Sequence, residues 1–201
     1  MKLDPFYPIF DTSDWIGRLV PLGIKLVQLR SKDLTVEETR EEIIRSRDLC
    51  EEHGCQLIVN DYWQLAIEEE CDFVHLGQED LDDADVEAIR AAGIRLGVST
   101  HDHDELERAL NLEPDYIALG PVYPTILKQM HWDPQGLDRV SEWKELVGET
   151  PLVGIGGLSV ERAFGVLDAG ADIASVVTDI TLNDDPETRV REWINITREF
   201  A

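Results

Sequence analysis

Three groups of residues in this chain have the types and spacing that chemistry needs. The first is Gln28-Leu29-Arg30-Ser31-Lys32. In an extended segment alternate side chains face the same way, so Gln28, Arg30 and Lys32 project together. Two cations and an amide suit a phosphate or diphosphate, with Arg offering a planar fork and Lys a point charge. A solvated strand end, ion-paired to Asp33 or Glu37, accounts for the same residues without a ligand. The chain has only five lysines, and two of them, Lys32 and Lys128, stand beside polar strand ends, which favours the anion reading.

The second group is Asp61 and Asp80, each following a short apolar run. Two carboxylates meeting at one point could hold a single hard divalent cation and leave positions open for water and substrate phosphates, as Mg²⁺ prefers. With 42 acidic residues in the chain, an Asp pair alone is weak evidence. A nearby cation cluster sharpens it, because Arg30, Lys32, Lys128 and a metal together could neutralise a diphosphate. The third group is Gly154-Ile155-Gly156-Gly157 leading into Ser159. Glycines let the backbone approach a phosphate closely, and free N–H groups at a helix start favour an anion. Two anion sites, one for a diphosphate and one for a monophosphate, imply two phosphorylated substrates. His101-Asp102-His103-Asp104 reads as polar capping, since side chains at i and i+2 on a loop diverge. His75 reads as a hydrogen-bonded core histidine. No Ser/His/Asp or Cys/His pairing stands out.

These groups need a scaffold that brings them to one place. Apolar or β-branched runs recur at Phe6–Phe10, Leu26–Leu29, Gln56–Val59, Phe73–Leu76, Arg95–Val98, Tyr116–Leu119, Leu152–Ile155 and Ile173–Val177. Helical periodicity lies between them. The clearest case is Thr35–His53, where Thr35 and Glu38 form a capping-box pattern and Gly54 marks the stop. Other helices are expected to begin near Asp14, Trp63, Asp83, Asp104, Asp138, Ser159 and Pro186. The spacing leaves room for one crossover helix between successive parallel strands. Eight such units in about 200 residues make a single (β/α)8 TIM barrel over residues 1–201. An open doubly wound sheet stays open as an alternative, since periodicity does not distinguish closure from openness. In a barrel, functional groups sit at the C-terminal strand ends and in the loops after them. Gln28, Arg30, Lys32, Asn60, Asp61, Asp80, Ser99, Thr125, Lys128, Gly157 and Thr178 all fall at such positions.

Composition narrows the function classes. The 201 residues carry 18 Lys and Arg against 42 Asp and Glu, a net charge of −24, so a polyanion meets a repulsive field and general nucleic-acid binding is excluded. There is no signal-peptide h-region and no apolar run of about 18 residues, which places the expected protein in the cytoplasm with no membrane partner. Cys50, Cys55 and Cys71 are odd in number and lack C-x-x-C spacing, so they are expected as thiols packed in or near the core. A homodimer is compatible with general tendency, and no stripe marks an interface.

Across nearly its whole length the chain resembles the thiamine-phosphate synthase family, most closely the proteobacterial version. The resemblance is carried by QLRSK at 28–32, VNDYWQLAI at 59–67, VHLGQEDL at 74–81, RLGVSTH at 95–101, YIALGPVYPT at 116–125 with Lys128, VGIGG at 153–157 and VVTDIT at 176–181. It implies a TIM barrel that joins hydroxymethylpyrimidine diphosphate to thiazole phosphate, releasing diphosphate. It implies that Gln28, Arg30 and Lys32 hold the pyrimidine substrate and its diphosphate, with Asn60 and Lys128 also touching it. Ser99 would hydrogen-bond the pyrimidine, and Asp61 and Asp80 would bind Mg²⁺. Thr125, Leu127, Gly157, Val177 and Thr178 would hold the thiazole phosphate. Catalytic work would fall on Arg30, Lys32, Lys128 and Ser99, by a dissociative path needing no protein nucleophile.

One position departs from the family pattern, in which Pro-Thr-x-Thr-Lys follows the sixth strand. Here Leu127 stands where a hydroxyl is usual. A lost hydrogen bond to a charged phosphate costs about 1.5–3 kcal/mol unless another group substitutes. Two other functions remain open for the pocket: an aminopyrimidine tautomerase-like isomerase, which needs neither diphosphate nor metal, and a ligand-binding relative without turnover. The intact QLRSK, ND and QED blocks argue against the first, and Leu127 is the only hint of the second.

Overall fold

The computed structural model describes residues 2–125 and 132–200. Leu127 and Lys128 therefore lie outside the described residues. Eight parallel strands close into a barrel in sequence order: β1 (Phe6–Phe10), β2 (Leu26–Leu29), β3 (Gln56–Asn60), β4 (Phe73–Leu76), β5 (Arg95–Thr100), β6 (Tyr116–Leu119), β7 (Leu152–Ile155) and β8 (Ile173–Val176). Strand β1 pairs with β8 through Tyr7 opposite Ser175, which completes the ring and excludes the open sheet.

The helices surround the barrel: α1 (Ser13–Leu19), α2 (Val36–His53), α3 (Trp63–Glu68), α4 (Asp80–Asp83), α5 (Val86–Ala91), α6 (His103–Leu110), α7 (Gly136–Val147), α8 (Val160–Asp168), α9 (Thr178–Thr181) and α10 (Pro186–Thr197). The capping box of α2 forms as its sequence dictates: Thr35 accepts from the Glu38 N–H, and the Glu38 carboxylate accepts from the Thr35 N–H. The helix expected near Asp83 is instead two short ones. Asp85 accepts from the Ala88 N–H at 2.9 Å and starts α5 afresh, because a short carboxylate competes for backbone donors better than it continues a helix. Strand β8 ends one residue before Val177, where the chain turns into α9.

Alternation along each strand divides the core in two. Tyr7, Leu26, Ile58, Phe73, Tyr116, Val153 and Ile173 fill the barrel interior, while a larger cluster that includes Trp143 and Trp193 lies between strands and helices. Phe6 stacks on Trp193 with ring centroids 5.6 Å apart, tying β1 to α10. The three cysteines are buried free thiols, as their context predicts.

Candidate active site

The pleat sorts the polar residues. Asn60 pairs in register with His75, and His75 with Gly97, so the ends of β3, β4 and β5 reach the barrel mouth side by side. Gln28 points into the interior and is buried, Asn60 is buried beside it, and Ser99 is partly exposed above. Arg30 is fixed at the end of β2 by its N–H, which donates to the Phe10 carbonyl at 2.8 Å.

On this side of the mouth the carboxylates and cations meet. Lys32 Nζ lies 3.0 Å from Asp61 Oδ2, so its ion-pair partner is neither Asp33 nor Glu37. Asp61 occupies the left-handed region at φ 66°, a conformation few non-glycine residues adopt and one often stored at functional sites. Its N–H donates to the His75 carbonyl at 3.0 Å, which holds this turn against β4. Asp80, the first residue of α4, accepts from the Gly77 N–H at 3.2 Å. Its carboxyl is raised from its ordinary range by burial, by the charge of Asp61 and by a hydrogen bond with the Asp61 carboxyl. The two side chains therefore converge. A cation between them would remove the repulsion that raises Asp80, and two carboxylates with open positions are the donor set that Mg²⁺ accepts. Among the described residues no third His, Cys, Asp or Glu joins them.

Beneath the mouth runs a chain of buried polar contacts. The Gln28 amide nitrogen donates to Tyr7 Oη at 2.7 Å, Tyr7 Oη lies 2.9 Å from Tyr116 Oη, and Tyr116 Oη lies 2.7 Å from His75 Nδ1. His75 Nε2 then lies 2.8 Å from Ser99 Oγ. Burial holds the His75 imidazole down at about 4; the Asp61 charge opposes that shift and the Arg30 charge adds to it. His75 is thus the bonded core histidine that its strand position suggests. Its contact with Ser99 was not legible from spacing. Gln78 secures the same region by donating from Nε2 to the Ser99 carbonyl at 2.7 Å.

Across the mouth, the ends of β6, β7 and β8 form a separate recess of about 440 Å³, lined in part by Thr125, Gly157, Ser159, Arg162 and Thr178. Two glycines make it. Gly156 and Gly157 have φ of 98° and 65°, and a Cβ on them would stand 2.6 Å from Pro121 Cα and 2.4 Å from the Pro124 carbonyl oxygen. Only glycine lets β7 run this close to the loop after β6. Arg162, which sequence reasoning missed, donates to the Gly157 carbonyl at 2.5 Å and lies over the Tyr123 ring at 4.7 Å. The signal was weak because Arg162 sits one turn inside a helix, away from any strand end. Val177 precedes α9 at the rim and Thr178 begins it.

The acidic neighbour of this recess is neutralised. Asp179 accepts from Arg189 Nε at 2.8 Å and Nη2 at 2.9 Å, from the Trp193 indole at 2.8 Å and from the Val160 N–H at 3.3 Å. Asp179 therefore serves the α8 N-terminus, where Ser159 makes no side-chain capping bond. The His101–Asp104 tract behaves as capping: Asp102 accepts from the Glu105 N–H, and His101 and His103 face Glu105 and Glu142. A recess of about 520 Å³ at the opposite end of the barrel, bordered by Lys2, Lys25 and Cys55, gathers none of these groups.

The chain is similar to known proteins over nearly its whole length. Residues 7–180 match the family model described as thiamine monophosphate synthase. A thiamine-phosphate synthase from Rhizobium etli is 61% identical over 197 residues, covering 98% of this chain and 97% of that protein. One from Neisseria meningitidis serogroup B is 46% identical over 188 residues, covering 94% and 92%. The solved structure of thiamine phosphate pyrophosphorylase from Pyrococcus furiosus superposes with a TM-score of 0.87 at 26% identity, covering 99% of this chain and 97% of that one.

Proposed function

The chain belongs to the thiamine monophosphate synthase family and is a transferase that forms thiamine phosphate, and from that premise we propose how its residues divide the work. The observation that carries the proposal is the presence of two unlike polar groupings on one barrel mouth. One combines Arg30 and Lys32 with converging carboxylates, and the other is a glycine-built recess faced by Arg162.

Arg30 and Lys32, joined by Lys128, hold the diphosphate of the pyrimidine substrate. Gln28, Asn60 and Ser99 hold its ring. Asp61 and Asp80 would hold Mg²⁺, which when bound supplies positive charge to a departing diphosphate. Lys32 stands against Asp61 and so shares one carboxylate with that position. Thr125, Leu127, Gly157, Val177 and Thr178 would hold the thiazole phosphate, and Arg162 would add a guanidinium that offsets the missing hydroxyl at Leu127.

The chemistry then follows from charge. The exocyclic carbon–oxygen bond of the pyrimidine breaks with both electrons leaving on the diphosphate, where the cations meet the developing charge. The 4-amino group delocalises the positive charge left on the pyrimidine, and the lone pair of the thiazole nitrogen forms the new carbon–nitrogen bond. Protein groups position the partners and exclude water that would trap the cation. No side chain becomes covalently attached. The proposal includes a cytoplasmic location and a single barrel domain over residues 1–201. No described helix is long and apolar enough to cross a membrane.

Incubation with both phosphorylated substrates and Mg²⁺ tests the reading. Thiamine phosphate and diphosphate are expected in equal amounts. Two unjoined compounds would indicate a tautomerase-like isomerase, and saturation without turnover a binding protein.

A further inference from the structure

The buried chain of hydrogen bonds from Gln28 to Ser99 can run in only two directions, and the Gln28 amide nitrogen turned toward Tyr7 Oη selects one of them. The Gln28 amide nitrogen has hydrogens to give and no lone pair to offer, so it donates to Tyr7 Oη. Tyr7 has one hydrogen of its own, which passes to Tyr116 Oη, and the Tyr116 hydrogen passes to His75 Nδ1. A ring nitrogen that accepts carries no hydrogen, which places the imidazole hydrogen on Nε2, 2.8 Å from Ser99 Oγ. The Ser99 oxygen thus accepts from below, and its own hydrogen is left for the mouth of the barrel.

We propose that Tyr7, Tyr116 and His75 are positioning residues that fix Ser99 as a hydrogen-bond donor to a lone pair on the pyrimidine ring. The proposal rests on the reading of Ser99 as a pyrimidine contact and adds the polarity of that contact together with the residues that set it. Tyr7, Gln28, His75 and Tyr116 are all buried, so no member can reverse alone without leaving a polar atom unsatisfied in a dry interior. Turning the Gln28 amide would reverse every bond at once and make Ser99 an acceptor. The two arrangements are therefore exclusive, and each requires the opposite tautomer of His75. Gly97 shows how closely the interior is shaped around this path: a Cβ there would lie 2.1 Å from the Tyr116 ring.

Ring-nitrogen spectra of the ¹⁵N-histidine-labelled, full-length enzyme test the direction without substrate. A protonated Nε2 and a lone-pair Nδ1 at His75 are expected, and the reverse tautomer overturns the proposal. Tyr116→Phe keeps the ring and removes the hydrogen that holds Nδ1. The His75 signals should then become a mixture of tautomers. The KM for the pyrimidine diphosphate should rise about two- to tenfold, the worth of one neutral hydrogen bond, while the KM for thiazole phosphate stays unchanged. An unchanged tautomer with unchanged KM overturns the proposal. Ser99→Ala distinguishes the underlying reading: wild-type pyrimidine KM in that variant removes Ser99 from the pyrimidine contact, and the proposal with it, even where His75 shows the tautomer assigned.

Discussion

Lys32 Nζ and Asp61 Oδ2 lie 3.0 Å apart, and the aspartate that receives this lysine is held in the left-handed backbone region. The cation proposed for the diphosphate and the carboxylate proposed for the metal are therefore one ion-paired unit at the end of neighbouring strands. Lys32 is half exposed, so the pair contributes little to stability, and its value lies in keeping both groups aimed at the mouth.

Asp61→Asn should lower kcat/KM about 10²- to 10³-fold at saturating Mg²⁺, the usual cost of losing a preorganised electrostatic contact. The double variant with Lys32→Ala should lose less than the product of the two single losses, because the residues act together. Steady-state kinetics over a Mg²⁺ series reads both effects, and full additivity would separate the two residues.

Arg162→Ala should raise the KM for thiazole phosphate roughly 10- to 100-fold, as expected for a charge-assisted contact, and leave the KM for the pyrimidine diphosphate unchanged. Leu127→Thr restores the hydroxyl and should lower the thiazole-phosphate KM, by a larger factor in the Arg162→Ala background than in the wild type. Equal factors in both backgrounds would show that Arg162 does not compensate for Leu127.

Gly97→Ala drives a methyl group into the Tyr116 ring, with 2.1 Å between the new carbon and Cζ. The loss should be about 1–3 kcal/mol, the range for overpacked cores. Thermal unfolding provides the measurement, and a shift in the His75 tautomer should accompany it.

His75 gives stability a definite pH dependence. Its folded value of about 4 lies below the ordinary 6.5, because burial penalises the charged ring. Between these values the unfolded chain binds a proton that the folded chain refuses. The contribution is present in full above about pH 6.5 and is lost as pH falls toward 4, by up to about 3 kcal/mol. Urea unfolding of the wild type and of His75→Gln across this window checks the sign: the variant should show the flatter slope.

Much of the barrel was legible in the sequence because its strands are short, continuous apolar runs separated by one helix each. Five of the eight strands begin and end where those runs do, and the capping box of Thr35 and Glu38 forms as written. The site was legible where residues stand at strand ends, as with Gln28, Asp61 and Gly157. Arg162 and the Ser99–His75 contact were not, because both depend on which groups a closed barrel brings face to face. The partners of Asp85 and Asp179 were not legible for a related reason, since one carboxylate among many reveals no partner until the backbone is placed.

The clasp on Asp179 has a consequence for how the protein matures. Glycines at 156 and 157, Arg162 and Thr178 all precede Arg189 and Trp193, the two residues of α10 that engage Asp179. A ribosome emits the cradle first and its fastener last. A nascent chain arrested before Arg189 would expose a bare aspartate beside the recess proposed for an anion, so on that proposal ligand capture waits on the closing helix.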